Sequence, residues 1–133
     1  MPPMVALLGV DRRYIAFRAS GKLHAQDVSQ MARTIEENTA HAPTVRVLLQ
    51  LVDFEGWTLG GAAEAAVANV RDGKRVEKLV IVGERKSDAG IAWAIEVFGS
   101  TIVEFFPEDQ ANEAWSWLHA DDTGEYLSFA SFI

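Results

Sequence analysis

The chain has 133 residues, of which 49% are hydrophobic and 23% charged, and it carries a formal net charge of −7. These values are typical of one globular domain, and the acidic balance argues against a broad nucleic-acid surface, which needs clustered Lys and Arg. The absence of cysteine excludes disulfides, thiol nucleophiles and cysteine-bound zinc. No apolar run approaches the ~20 residues that span a bilayer, and no signal-peptide pattern occurs, so we expect a cytoplasmic protein without an integral membrane segment.

The first elements in chain order are two short apolar segments, residues 5–10 and 14–19, joined by a charged connection. This pattern predicts an antiparallel hairpin, and the sequence Ser-Gly-Lys-Leu at 20–23 then interrupts it. A helix follows, because apolar residues recur with helical spacing at Val28, Met31, Ala32 and Ile35. His24 stands at the N-cap position of this helix.

Residues 45–52 form the clearest strand, which is apolar except for Arg46 and Gln50 and so is typical of an inner strand covered on both faces. Shorter strands are predicted at 79–82, which ends at Gly83, and at 102–106. Helical stripes follow each strand, at Leu59, Ala63, Ala66, Val67 and Val70; at Ile91, Ile95 and Phe98; and, after Pro107, at Ala111, Ala114, Trp115 and Leu118. The order ββαβαβαβα predicts an α/β domain with a mixed, mostly parallel sheet, an N-terminal β-hairpin and about four helices.

The C-terminal segment is unusually apolar for a chain end. Residues 121–124 have the composition of a turn, and residues 126–133 read Tyr-Leu-Ser-Phe-Ala-Ser-Phe-Ile. Such a segment either packs on its own domain or adds to a sheet edge, its own or that of a neighbour in a homodimer. We therefore expect a single domain over residues 1–133, with 121–133 as an apolar extension.

The best candidate site is the acidic segment Asp-Phe-Glu-Gly-Trp at 53–57, directly after the central strand. In α/β proteins functional groups converge at the carboxyl ends of inner strands. Asp53 and Glu55 have the types of an acid–base pair, but Asp53 would equally serve as a cap of the following helix. Trp57 would line a pocket, anchor an interface or simply pack over that helix.

No catalytic constellation completes this segment. The three histidines, His24, His41 and His119, lack the spacing of a helical metal site. The chain contains no G-x-S-x-G elbow, no P-loop and no G-x-G-x-x-G after the first strand. We predict no catalytic residue, no metal and no cofactor, and hence a protein that is not an enzyme.

Several segments, in their order and spacing, resemble the SpoIIAA-like proteins, small α/β domains related to STAS anti-sigma-factor antagonists and to CRAL-TRIO lipid-binding domains. The matching segments are Ser20-Gly21-Lys22-Leu23, Asp53-Phe54-Glu55-Gly56-Trp57, Val82-Gly83-Glu84-Arg85-Lys86, Phe105-Phe106 and Ala114-x-x-Trp117-Leu118. The resemblance spans most of the chain up to the fourth predicted helix, and the apolar extension lies outside it.

In the STAS antagonists the segment that corresponds to 53–56 carries an Asp, two hydroxyl residues and a Gly, and the second hydroxyl is phosphorylated. Asp53 and Gly56 match, whereas Phe54 replaces the first hydroxyl and Glu55 the phosphoacceptor. Thr58 lies three positions past the acceptor and is a poor substitute. A serine-type phosphorylation switch is therefore not expected at this position.

The resemblance implies a non-enzymatic STAS-like protein-interaction or regulatory module with an unidentified protein partner. The implied interaction residues are Asp53, Phe54, Glu55, Gly56, Trp57, Thr58 and Lys86. The alternative is a carrier or sensor of a lipid or other apolar small molecule, as the CRAL-TRIO relationship suggests. The small residues at 60–66 would leave room for such a ligand or pack tightly against the sheet.

Overall fold

The computed structural model describes residues 5–39, 43–57, 75–83 and 102–120 of the chain. Five strands, two α-helices and one 3₁₀ turn occupy these ranges, in the order β1 (Val5–Asp11), β2 (Tyr14–Leu23), α1 (Ala25–Asn38), β3 (Val45–Trp57), β4 (Val76–Gly83), β5 (Ile102–Pro107), the 3₁₀ turn (Glu108–Gln110) and α2 (Ala111–Leu118). The helices predicted near 59–70 and 91–98 lie outside the described residues. No helix in the described ranges is long and apolar enough to cross a membrane.

The five strands form one sheet in the order β1-β2-β3-β4-β5. β1 and β2 are antiparallel, and the three other neighbouring pairs are parallel. The mixed, mostly parallel sheet with an N-terminal hairpin is therefore confirmed. Asp11 pairs with Tyr14 across the hairpin, and Arg12 in the connection has a positive φ of 58°.

Strands β2 and β3 are both longer than the sequence pattern predicts. The apolar runs end near residues 19 and 52, yet the strands continue to Leu23 and Trp57 and pair with each other along the added length. Two residues with positive φ, Gly21 at 64° and Asp53 at 49°, stand at the register shifts and let the ladder resume beyond them. The predicted interruption at 20–23 and the predicted acidic turn at 53–57 are thus bulged strand.

Helix α1 begins where the sequence predicts. His24 is its N-cap residue, and the Asp27 carboxylate accepts a hydrogen bond of 2.8 Å from the His24 backbone N–H. This bond satisfies a donor that a helix start would otherwise leave without a partner. The predicted apolar stripe is buried against the sheet, at Val28, Met31, Ala32 and Ile35.

The core lies on both faces of the sheet, because alternate residues of each strand point to opposite sides. On one face α1 packs over Ile15, Phe17, Val47, Leu49, Leu79 and Ile81. On the other face α2 packs, through Ala114, Trp115 and Leu118, over Tyr14, Ala16, Leu48, Val80 and Val82. Burying each large apolar side chain contributes about 1.5–3 kcal/mol, so both helices are held mainly by these contacts. β3 is the doubly covered inner strand that its apolar run predicts.

Candidate functional site

The parallel strands β2, β3, β4 and β5 all end at one edge of the sheet, which we call the carboxyl edge. Their last residues are Leu23, Trp57, Gly83 and Pro107. Along this edge the extension of β3 lies beside the extension of β2, with Gly21 opposite Phe54 and Lys22 opposite Gly56. The structure therefore brings two of the sequence-predicted segments, 20–23 and 53–57, into direct backbone contact.

Asp53 occupies the first of two bulges in β3, and the second lies at Glu55, between the pairs Gly21–Phe54 and Lys22–Gly56. Val52 pairs with Ser20 and Phe54 pairs with Gly21, so the register skips Asp53. Its φ of 49° is in the left-handed region, which is unfavourable for residues with a Cβ. Asp tolerates this region better than most residues. The residue is exposed. The carboxylate thus stands on the protein surface at a position fixed by an irregular backbone.

Phe54 is placed differently from its neighbour. It is half-buried and packs against the hydrophobic core on the α1 face. An exposed Asp followed by an inward Phe anchors the bulge to the core while the Asp remains outside. This contact gives Phe54 a structural role at the position where the STAS antagonists carry a hydroxyl.

The other predicted site residues are described only in part. Glu55, Gly56 and Trp57 belong to β3, and Trp57 pairs with Leu23, but their side chains lie outside the described part of the structure. Thr58 and Lys86 lie outside the described residues altogether. Acid–base chemistry between Asp53 and Glu55, and an interface role for Trp57, stay predictions.

A second polar cluster, which the sequence reasoning missed, lies at the opposite edge, where β3 and β4 begin. Its centre is Arg46, a charged residue that is only 2% exposed. The Arg46 Nε donates to Oε2 of Glu77 at 3.1 Å, and its Nη1 donates to the Leu118 carbonyl oxygen at 2.8 Å. Glu77 also pairs with Arg13 at 3.4 Å. A buried guanidinium needs partners of this kind, because an unpaired buried charge is strongly destabilising.

Aromatic rings complete this cluster. The Tyr14 ring stacks on His119 at 3.6 Å between ring centroids, and the Arg46 guanidinium lies 5.9 Å from the Tyr14 centroid. His119 is 2% exposed, and its Nδ1 lies 2.8 Å from the Trp115 carbonyl oxygen. A carbonyl oxygen only accepts, so Nδ1 carries the proton.

The arrangement joins the last turn of α2 to β2 and β3, and we interpret it as structural. The one sign of this cluster in the sequence was Arg46 itself, a charged residue inside a mostly apolar strand. Among the described residues no group of three or more His, Asp or Glu side chains could hold a metal ion.

A model of the SpoIIAA-like family matches residues 14–119 of this chain. The chain belongs to the SpoIIAA-like family. The match begins at Tyr14, the first residue of β2, and ends at His119, directly after α2. It therefore contains the Asp53 bulge and all of the Arg46 cluster except Arg13. It leaves out β1 and the C-terminal extension. A SpoIIAA-like fold indicates a STAS-type domain.

A solved structure supports the same fold for this SpoIIAA-like chain. It is that of an uncharacterized protein with a SpoIIAA-like fold from Shewanella loihica PV-4, with 24% sequence identity and a TM-score of 0.58. The similarity covers 86% of this chain and 93% of the other. No curated protein matches the chain. The similarity at this identity concerns the fold alone.

Proposed function

We propose that this SpoIIAA-like protein is a non-enzymatic STAS-type interaction or regulatory module that contacts a protein partner through the carboxyl edge around Asp53. The observation that carries the proposal is the conformation of Asp53, exposed and with a φ of 49°, opposite a strand whose Gly21 has a φ of 64°. Membership of the SpoIIAA-like family also supports a STAS-type role for this edge.

The left-handed conformation of Asp53 has an energetic cost. For a residue with a Cβ the cost is roughly 1–2 kcal/mol, and Asp lies at the low end. Such residues persist where the surrounding structure over-determines them, and they cluster at functional sites. Here the bulge turns a surface carboxylate away from the ladder, which supports recognition rather than folding as its role.

The chemistry of this edge favours a basic partner surface. A fixed carboxylate attracts Lys and Arg side chains, and interfacial charges of this kind mainly set association rate and specificity. Glu55 stands where the resemblance puts a phosphoacceptor. We infer that the negative charge at this position comes from the Glu55 carboxylate and does not depend on phosphorylation. The module would then act without a phosphorylation cycle. The absence of a nucleophile elbow, P-loop or metal spacing from the sequence supports a binding role over catalysis.

Comparative cross-linking and affinity capture from native cells tests the proposal. The experiment compares the wild-type chain with Asp53→Asn and Asp53→Gly. Both replacement residues tolerate the left-handed backbone and remove the charge of the carboxylate. Glu37→Gln is the matched control, an exposed acid near the end of α1. We expect a polypeptide partner with wild type and with Glu37→Gln, and at least about tenfold less of it with both Asp53 variants. Equal recovery by all four chains would contradict the proposal.

A further inference from the structure

Strand β1 carries an exposed apolar surface at the end of the sheet. It is the first strand in the sheet order, and among the described residues no strand pairs with its outer edge. Leu7 is 50% and Val10 is 37% exposed. Leu7 pairs with Phe17 and Val10 with Ile15, both core residues of the α1 face, so the two exposed side chains stand on that face. We call Leu7 and Val10 the β1 stripe.

The sequence of β1 offers little protection for this edge. It reads Val-Ala-Leu-Leu-Gly-Val-Asp, with no Lys, Arg or Pro. Natural edge strands are usually guarded by such residues or covered by another segment, because open backbone groups invite pairing. The protection visible in this strand is an irregularity between Leu7 and Gly9 and one charged residue, Asp11, at its end. The edge therefore has the character of a surface that is covered.

The described chain ends close to this edge. The Leu118 carbonyl accepts the hydrogen bond from Arg46, and the His119 ring stacks on Tyr14. Tyr14 is the hairpin partner of Asp11, the last residue of β1. The described chain thus ends, at Ala120, near the edge where β1 ends but on the α2 face, opposite the face that carries the β1 stripe.

The lengths of the remaining segments fit the distance and the direction. Residues 121–125 reach up to about 17 Å, more than the about 10 Å between packed layers. Residues 126–133 would extend about 26 Å as a strand, against about 23 Å for the seven residues of β1. A segment that starts beside Asp11 and continues along β1 runs antiparallel to it. With strand periodicity Leu127, Phe129, Ser131 and Ile133 share one face, and its three apolar members continue the apolar character of the β1 stripe.

We propose that residues 126–133 of the same chain dock antiparallel to β1 on its outer edge, as a sixth strand whose apolar side chains lie beside the β1 stripe. In this proposal the apolar extension pairs with the edge of the sheet that the described residues leave open. The surface involved is separate from Asp53, so the inference stands or falls independently of the proposed function.

Disulfide mapping tests this placement directly, because the natural chain contains no cysteine. Two pairs report the expected register, Val10→Cys with Leu127→Cys and Leu7→Cys with Phe129→Cys. They belong to one register if the irregularity of β1 between Leu7 and Gly9, which adds one residue there, is kept on its outer edge. A disulfide forms only when the Cα atoms lie within about 7 Å. Two control pairs are Val10→Cys with Ile133→Cys, which tests direction, and Ile102→Cys with Leu127→Cys. Ile102 is 43% exposed on β5, at the other end of the described sheet.

We expect both test pairs to close within one chain, giving a monomer of faster migration on a non-reducing gel, and both control pairs to stay reduced. Closure of the Ile102 pair in their place, or of the Val10–Ile133 pair, would overturn the proposal. Disulfides that join two chains at every dilution would also overturn it, because the occupant would then be a second copy. Failure of both test pairs to close would likewise contradict it.

Hydrogen exchange gives a second readout without cysteines. In a chain that ends at residue 125, amides of β1 should exchange at least about tenfold faster than in the full chain, while those of β4 keep their protection. Unchanged exchange in β1 with β4 intact would contradict the docking. If β4 also loses protection, the truncated chain has unfolded globally and the disulfide pairs decide.

Discussion

Asp53 combines a backbone conformation and a surface charge that substitution can separate. Asp53→Ala keeps a small side chain but places a Cβ without a polar group in the left-handed region, so we expect a loss of about 1 kcal/mol in the free energy of unfolding. Asp53→Gly removes the Cβ and should stay within about 0.5 kcal/mol of wild type. Urea denaturation measures both.

Glu37→Ala is the control for the Asp53 series, since it removes an exposed acid from regular helix and should change stability by less than about 0.5 kcal/mol. Equal stabilities of Asp53→Ala and Asp53→Gly would show that the bulge carries no strain. In combination with the capture experiment the series also has a functional use. A glycine variant that folds as stably as wild type and loses its partner assigns the loss to the carboxylate.

Helix α2 depends on contacts with strands β2 and β3, which are distant from it in sequence. Eight residues long, it is fixed at its end by the hydrogen bond from Arg46 to Leu118 and by the stack of His119 on Tyr14. An isolated helix of this length is unstable in water, so these contacts and the burial of Trp115 must hold it.

We expect Arg46→Ala to lower the free energy of unfolding by about 2–4 kcal/mol, because it leaves a buried carbonyl without its donor and removes a packed side chain. Arg33→Ala, an exposed arginine on α1, should change it by less than about 0.5 kcal/mol. Thermal and urea unfolding check the difference. A loss from Arg46→Ala no larger than that from Arg33→Ala would show that the buried cluster is not structural.

The strand extensions show where sequence patterns stop being informative. Apolar periodicity locates the helix at Ala25–Asn38 and the start of β3, because burial dictates residue type directly. It ends β2 and β3 too early, since the added lengths of strand contain Gly21, Asp53 and Gly56, residue types that favour turns. Their conformation is set by the neighbouring strand, and pairing between positions more than thirty residues apart leaves no local signature.

At the scale of the whole molecule the two ends of the parallel strands have different roles. The edge where β3 and β4 begin carries a buried, mutually satisfied cluster around Arg46 that fastens α2. The carboxyl edge carries an exposed acid on a bulge. The general rule that functional groups converge at the carboxyl ends of strands predicted the site at Asp53 from sequence. The cluster around Arg46 was not predicted, because Tyr14, Glu77 and His119 meet only after folding.

The order of the predicted elements predicted the sheet, its hairpin and its mixed topology correctly, because that order limits the arrangements available to them. It could not predict that 53–57 would be strand. The interaction role of Asp53, Trp57 and Lys86 stays a prediction, and so does the single-domain assignment of residues 1–133.

Native mass spectrometry of the protein purified gently from its own cells tests the central claim most directly, since an interaction module and a carrier of apolar molecules differ in what accompanies the chain. We predict the mass of the polypeptide, alone or with a second polypeptide that is absent from the Asp53→Asn preparation. An apolar molecule of small mass bound to wild type and Asp53→Asn alike, with no polypeptide partner, would contradict the account.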